Sequence, residues 1–362
     1  MDQANQSLSE AIGEERLVQL NEAIIRLQSL ALGFPDQGSL MVLFERDAPD
    51  LEGPQCEEQI SQTLRDLEPD HEWTWVTAQR DDDRSVYWAS PFFAKETDGT
   101  FDVTAFLLLD ILSRLSAWWL YMNWRAFDLA ASSLRELNER RYLPSAANAR
   151  GMLEGVAAFV TEGNRLQALW ESFKAKGIPS HSETMNFRMS IHHELFQPQF
   201  ASRTDRKDTN PRKNIVTIID RYARDTVSEI DIASLYGRLS DAVHPSLGSN
   251  QSYWRRTGGL EVGWFIEMER RVGDTRYPAK GVPSARNAAD AVIASVADLE
   301  FNSSRLQKFI WDVGLTSGAS YSSLVPFFGT TKRLGPTDRC PCGSGLLGNS
   351  CRHTWGNSGD QP

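Results

Sequence analysis

Cysteine is scarce in this chain: there are four in 362 residues, and three of them, Cys340, Cys342 and Cys351, crowd near the C-terminal end. That distribution excludes the disulfide framework of a small secreted scaffold and points to a reducing, cytoplasmic setting. No secretory signal is expected, since Met1 to Glu10 has no basic start followed by an apolar run. Long hydrophobic stretches are interrupted. The most apolar region, Phe101 to Met122, contains Asp102, Asp110 and Arg114, charges that are costly inside hydrocarbon, so a buried helix is expected and no membrane span. Positive charge is in deficit as well. With 38 Lys and Arg against 48 Asp and Glu, the formal charge is -10, and no global field exists to hold a nucleic-acid backbone. Any such contact needs a local basic patch. Phosphate-cradling P-loops, dinucleotide fingerprints, serine-hydrolase elbows and fixed-period repeats are all missing.

What is present is mostly helical periodicity. Leu17, Leu20, Ala23, Ile24, Leu27 and Leu30 recur at three- and four-residue spacings, predicting a helix from Leu8 to Leu32 that Gly33 and Pro35 stop. Residues 39–100 are mixed: a strand over Met41 to Phe44, a helix over Cys56 to Leu67, and a hairpin of Trp73 to Val76 with Val86 to Trp88 around Asp81-Asp82-Asp83. Long helices are expected over Val103 to Arg141 and Pro144 to Lys176, the second closed by Gly177-Ile178-Pro179. Further helices are predicted at Ser182 to Phe196, Lys213 to Thr226, Ser228 to His244 and Ala285 to Val313, with a short strand within Gly258 to Met268. Ser228 with Asp231 reads as a start signal of the capping-box kind. The expected class is mainly α. A mixed α/β segment spans 1–100, a helical bundle 101–315, a linker 316–337 and a zinc knuckle 338–362.

The knuckle rests on spacing. Cys340-Pro341-Cys342-Gly343-Ser344-Gly345 is followed by Cys351 and His353. Zinc favours four thiolate and imidazole ligands, and two cysteines one residue apart on a tight turn can reach one ion. Pro341 stiffens that turn, while Gly343 and Gly345 let backbone N–H groups approach the thiolates. So short a segment has no core of its own, and metal binding would supply its folding free energy. These residues resemble the SEC-C motif, the zinc-binding tail also found on the preprotein translocase motor SecA. The likeness covers about residues 338–355. Arg352 intervenes before His353, where the family has its fourth ligand directly after the third, and Leu346-Leu347-Gly348-Asn349 replaces the usual basic and aromatic residues. The resemblance implies a docking appendage for a protein or ribosomal partner, without catalysis.

In the helical body the distinctive run is Tyr236-Gly237-Arg238-Leu239-Ser240-Asp241-Ala242-Val243-His244-Pro245-Ser246. On a helix, Arg238, Asp241 and His244 follow at threes, and Tyr236, Ser240 and His244 at fours, so much of the set can share a face. With Arg150 and Glu154 on an earlier helix, the run resembles an uncharacterised family of bacterial all-helical proteins. Those carry an Arg and a Glu four apart and a later Tyr-x-x-Leu-Ser-x-x-x-His-Pro-Ser run. Arg238 and His244 also match the Arg-x(4–6)-His signature of the HEPN superfamily, which includes metal-independent ribonucleases of toxin and phage-defence systems. That resemblance implies RNA as substrate and a site formed across a homodimer.

The chemistry suits those residue types. Cleaving RNA through its own 2′-hydroxyl needs a proton-transfer group, which His244 can supply near neutral pH, and a cation for the phosphorane charge, which Arg238 can supply. Asp241 or Ser240 would orient the imidazole. The same residues also suit a site for another ligand, or a structural cluster in which Arg150 and Glu154 pair at i,i+4 and His244 bonds Tyr236. A non-catalytic adaptor that uses the zinc tail is the rival expectation. His192-His193-Glu194 with Glu183 reads as an exposed helix face, Trp118, Trp119 and Trp124 as core or interface, and Arg203, Arg206, Lys207, Arg212 and Lys213 as the one basic loop.

Overall fold

A computed structural model describes residues 3–34, 44–50, 53–67, 69, 73–79, 85–90, 103–177, 179–200, 214–244, 254–260, 263–268 and 282–316. The protein is mainly α. In chain order the elements are α1 (Gln3–Ile12), α2 (Glu14–Leu32), β1 (Phe44–Asp47), α3 (Pro54–Leu67), β2 (Thr74–Gln79) and β3 (Ser85–Ser90). Then come α4 (Val103–Asn138), α5 (Tyr142–Lys174), α6 (His181–Phe200), α7 (Ile215–Asp225) and α8 (Ile232–Val243). The hairpin β4 (Trp254–Leu260) and β5 (Gly263–Met268) and the long helix α9 (Pro283–Thr316) follow. Among the described residues no helix is long and apolar enough to cross a membrane.

Two compact units emerge, each drawn from three separated stretches. The first takes residues 1–34, 119–167 and 196–307, the second 35–118, 168–195 and 308–362. A sequential division at residue 100 and these units therefore cut the chain differently.

The first unit carries the candidate site. One continuous helix over Leu8 to Leu32 is corrected to two, because Gly13 adopts φ +93°, a conformation open to glycine but strained for other residues. The carbonyl of Ala11 accepts the Val282 N–H at 2.9 Å, tying the end of α1 to the start of α9. Helix α9 is lined with Ala285, Ala288, Ala289, Ala291 and Ala294, all buried, so neighbours approach closely. A Cβ placed on Gly163 of α5 would lie 2.6 Å from Leu306 of α9. Trp119 is buried, stacks on Phe34 at 4.4 Å and donates its indole N–H to the Ser303 carbonyl at 3.1 Å. Trp118, assigned to the second unit, is buried as well.

In that second unit β1, β3 and β2 form an antiparallel sheet in that order, with Asp47 opposite Val86 and Val76 opposite Trp88. Ile60 and Leu64 of α3 pack on Tyr87 and Ala89 of β3, with Cys56, Trp73 and Trp75 at the margin. Asp110, fully buried, binds Arg114 at 3.0 Å and Arg188 at 2.8 Å. The short strand expected within Gly258 to Met268 is instead half of the β4–β5 hairpin, whose register slips between Arg256 and Gly258. The basic loop Arg203 to Lys213, the linker beyond Thr316 and the zinc knuckle lie outside the described residues.

Candidate functional site

The site is built where α5 meets α8. Arg150 and Glu154 stand one turn apart on α5, and their ion pair closes at 3.0 Å with side-chain exposures of 16% and 29%. Tyr236, on the buried face of α8, donates its hydroxyl proton to Glu154 Oε1 at 3.0 Å and accepts from Arg150 Nη2 at 3.1 Å. The guanidinium also lies over the Tyr236 ring, 5.2 Å from its centroid. Burial pulls the proton affinity of Arg150 down. The Tyr236 bond and the Glu154 charge outweigh it and hold the pKa above the ordinary arginine value.

His244 completes the group. Helix α8 ends at Val243, and His244 is its C-cap, with φ -77° and ψ 150°, rather than a residue of the last turn. Sequence dictates this: the residue before a proline is excluded from the helical region, and Pro245 follows. The capping backbone N–H still bonds the Ser240 carbonyl at 3.0 Å. The ring, released from the helix spiral, meets Arg150, with Nη1 and Nε2 3.0 Å apart. A guanidinium only donates, so Nε2 accepts, which places the single ring proton of a neutral imidazole on Nδ1.

The other expected members are placed differently. Arg238 is exposed and turned to Asn287 Oδ1 at 3.0 Å and Ser234 Oγ at 2.6 Å, bonds that tie α8 to α9 and do not reach His244. Ser240 Oγ is buried without a hydrogen-bond partner, so the orienting contact on the imidazole comes from Arg150. Asp241 is exposed on α8, three residues before His244.

Helix α8 is positioned by residues that motif reading passed over. The expected start at Ser228 is corrected to Asp231, the N-cap, whose carboxylate accepts the Ser234 N–H at 3.1 Å. Ser228 belongs to the preceding turn, where its hydroxyl accepts the Ile230 N–H. That turn is anchored by Asp298, a fully buried carboxylate on α9. It accepts from the Tyr222 hydroxyl, from Thr226 Oγ1 at 2.6 Å and from the Val227 N–H at 2.9 Å. Burial, followed by the Asp298 charge, pushes the Tyr222 pKa well above the usual tyrosine value. A signal was there to read: Asp298 is a lone carboxylate continuing the small-residue stripe of Ala291, Ala294 and Ser295 at helical spacing.

For metals, Cys340, Cys342, Cys351 and His353 fall outside the described residues. Among the described residues no group of three His, Cys, Asp or Glu side chains could hold an ion. Compared with known proteins, the chain matches no family model, no curated protein and no solved structure.

Proposed function

We propose that the protein is a metal-independent ribonuclease acting through Arg150 and His244, with a zinc-binding tail that docks it to a partner. One observation carries the catalytic part: a histidine ring at an exposed helix end, held by its Nε2 lone pair on a buttressed arginine at 3.0 Å. An incoming phosphodiester competes for the guanidinium, and Arg150 turning to the phosphate releases Nε2. That nitrogen takes the proton from the RNA 2′-hydroxyl, and the 2′-oxygen attacks phosphorus. The bond to the 5′-oxygen breaks, and that oxygen leaves with a proton from water, whose hydroxide takes back the proton held on Nε2. The products are a 2′,3′-cyclic phosphate and a 5′-hydroxyl, and the guanidinium offsets charge on the phosphorane. Glu154 and Tyr236 hold Arg150 in place. Arg238, the cation expected from the HEPN-type signature, is left outside this step by its bonds to Asn287 and Ser234.

The test is incubation of the purified protein, His244→Ala and Arg150→Ala with total RNA and with tRNA in EDTA. Cleavage by wild type that both variants lose supports the reading, and equal inactivity of all three overturns it. The adaptor reading is favoured by a different observation: Arg150, Glu154 and Tyr236 bond one another, as a structural tie between α5 and α8 would, although Arg150 Nε is buried without a partner. Inactive wild-type protein that contains one zinc per chain, lost on deleting residues 338–362, would favour the adaptor.

In the tail, Cys340, Cys342 and Cys351 as thiolates and His353 as an imidazole would hold the metal in the closed, four-ligand set of a structural zinc site. Elemental analysis of the full chain is expected to find one zinc. A metal-free wild-type protein overturns that assignment.

A further inference from the structure

A cavity unrelated to the Arg150 and His244 chemistry lies further along α5, its exposed surface mostly apolar with charged and hydroxyl-bearing side chains in its walls. It measures about 130 Å³ and opens between one face of α5 and one face of α7. Each helix contributes four residues at i, i+3, i+4 and i+7: Ala158, Thr161, Glu162 and Arg165 from α5, and Asn214, Thr217, Ile218 and Arg221 from α7. The gap exists because Ala158 and Thr161 are too short to fill the space between the two helices.

Three features say what would fill it. Thr161 is only 6% exposed, and its Oγ1 is buried without a hydrogen-bond partner. A hydroxyl in that position costs free energy until something bonds it, and an apolar void would not need it. The first turns of α7 form part of the wall, starting at its N-cap Asn214, which accepts the Val216 N–H at 3.1 Å, so the positive end of the helix borders the space. Arg165 and Arg221 add two positive charges to the lining, and Glu162, buried at 3% exposure, adds one negative. The balance favours an anion. The carboxylate, which can only accept, rejects an anion that has no hydrogen to offer.

We infer that the cavity between α5 and α7 binds a compact anion that carries its own hydrogen-bond donor. The anionic group meets the α7 N-terminus and the arginines, the donor meets Glu162, and the ligand bonds Thr161 Oγ1. A small α-amino acid, through its ammonium, and hydrogen phosphate, through its P–OH, both have this chemistry. Sulfate matches the anion but offers no donor.

Calorimetric titration of the full chain with alanine, hydrogen phosphate and sulfate, each alone, tests this. Alanine or hydrogen phosphate is expected to bind, and whichever binds more tightly identifies the source. Sulfate is expected to bind at least tenfold more weakly than that ligand. Thr161→Val keeps the shape and removes the hydroxyl. It should weaken binding by roughly fivefold to tenfold, the worth of one hydrogen bond, while raising the melting temperature of the ligand-free protein. Ala158→Leu should fill the cavity and abolish binding, with circular dichroism checking that it folds. No binding of any probe at millimolar concentration, sulfate binding as tightly as the others, or affinity unchanged in Thr161→Val would overturn the proposal.

Discussion

Two arginine–carboxylate clusters in this protein use the same chemistry in opposite ways. In the second unit, Asp110 is completely buried and takes one arginine from its own helix and one from α6, at 3.0 and 2.8 Å. Only the arginines reach water there, Arg114 with 26% of its side chain exposed and Arg188 with 12%. In the first unit, Glu154 and Arg150 also pair at 3.0 Å, but Glu154 retains 29% exposure and the far side of the group is an exposed histidine. A closed cluster fixes helices, and breaking it leaves charge stranded in the interior. An open one costs little to form and can trade a protein contact for a ligand contact. The contrast separates a structural ion network from a candidate site more clearly than residue type does.

The comparison predicts a gradient of effects. Asp110→Ala should be the most damaging, at about 3 kcal/mol or more in urea unfolding, because two arginines lose a buried counter-charge. Asp298→Ala should follow at about 2–3 kcal/mol, since a charged acceptor of three bonds disappears beneath the α7–α8 turn. Gly163→Ala should cost about 1–2 kcal/mol, the added methyl forcing Leu306 aside. Glu154→Ala should cost about 1 kcal/mol or less, because its pair is partly solvated. If it matched Asp110→Ala, the open cluster would be structural and the contrast would fail. A further effect lies in pH. Tyr222 has a raised pKa in the folded state, so its stabilisation is complete below the ordinary tyrosine value of about 10 and is lost as pH rises past it. Unfolding curves at pH 9 and pH 11 should show a larger loss for wild type than for Tyr222→Phe.

Much of the helical frame was legible because α4, α5 and α9 are long and keep one apolar period, so their ends were expected within a few residues. The breaks were harder. Gly13 splits one expected helix because a positive φ leaves no periodic trace, and Ser228 looked like a cap because Asp231 follows it at the right spacing. Within the site, Arg150, Glu154, Tyr236 and His244 were all on the page as residues. Their partnership was only partly legible. Helical spacing paired Arg150 with Glu154, but the distance from Arg150 to His244, 94 positions along the chain, carries no periodic signal. Arg238 shows the converse. It lies six residues from His244 in sequence, yet its bonds lead to α9, because side-chain direction on α8 outweighs proximity along the chain. Asp298, Asn287 and the α5–α7 cavity depend on which helix faces which, and a single sequence does not encode that locally.

The Arg150–His244 contact also makes the protein its own probe. In water a neutral histidine keeps its proton mainly on Nε2, and Arg150 enforces the opposite form at His244. The chain has six histidines, so two-bond proton–nitrogen correlation spectra should resolve a ring whose nitrogen pattern is inverted. An anion that draws Arg150 away would return that ring to the usual pattern. The signal would report occupancy of the site residue by residue, with no turnover to follow and no label beyond nitrogen-15.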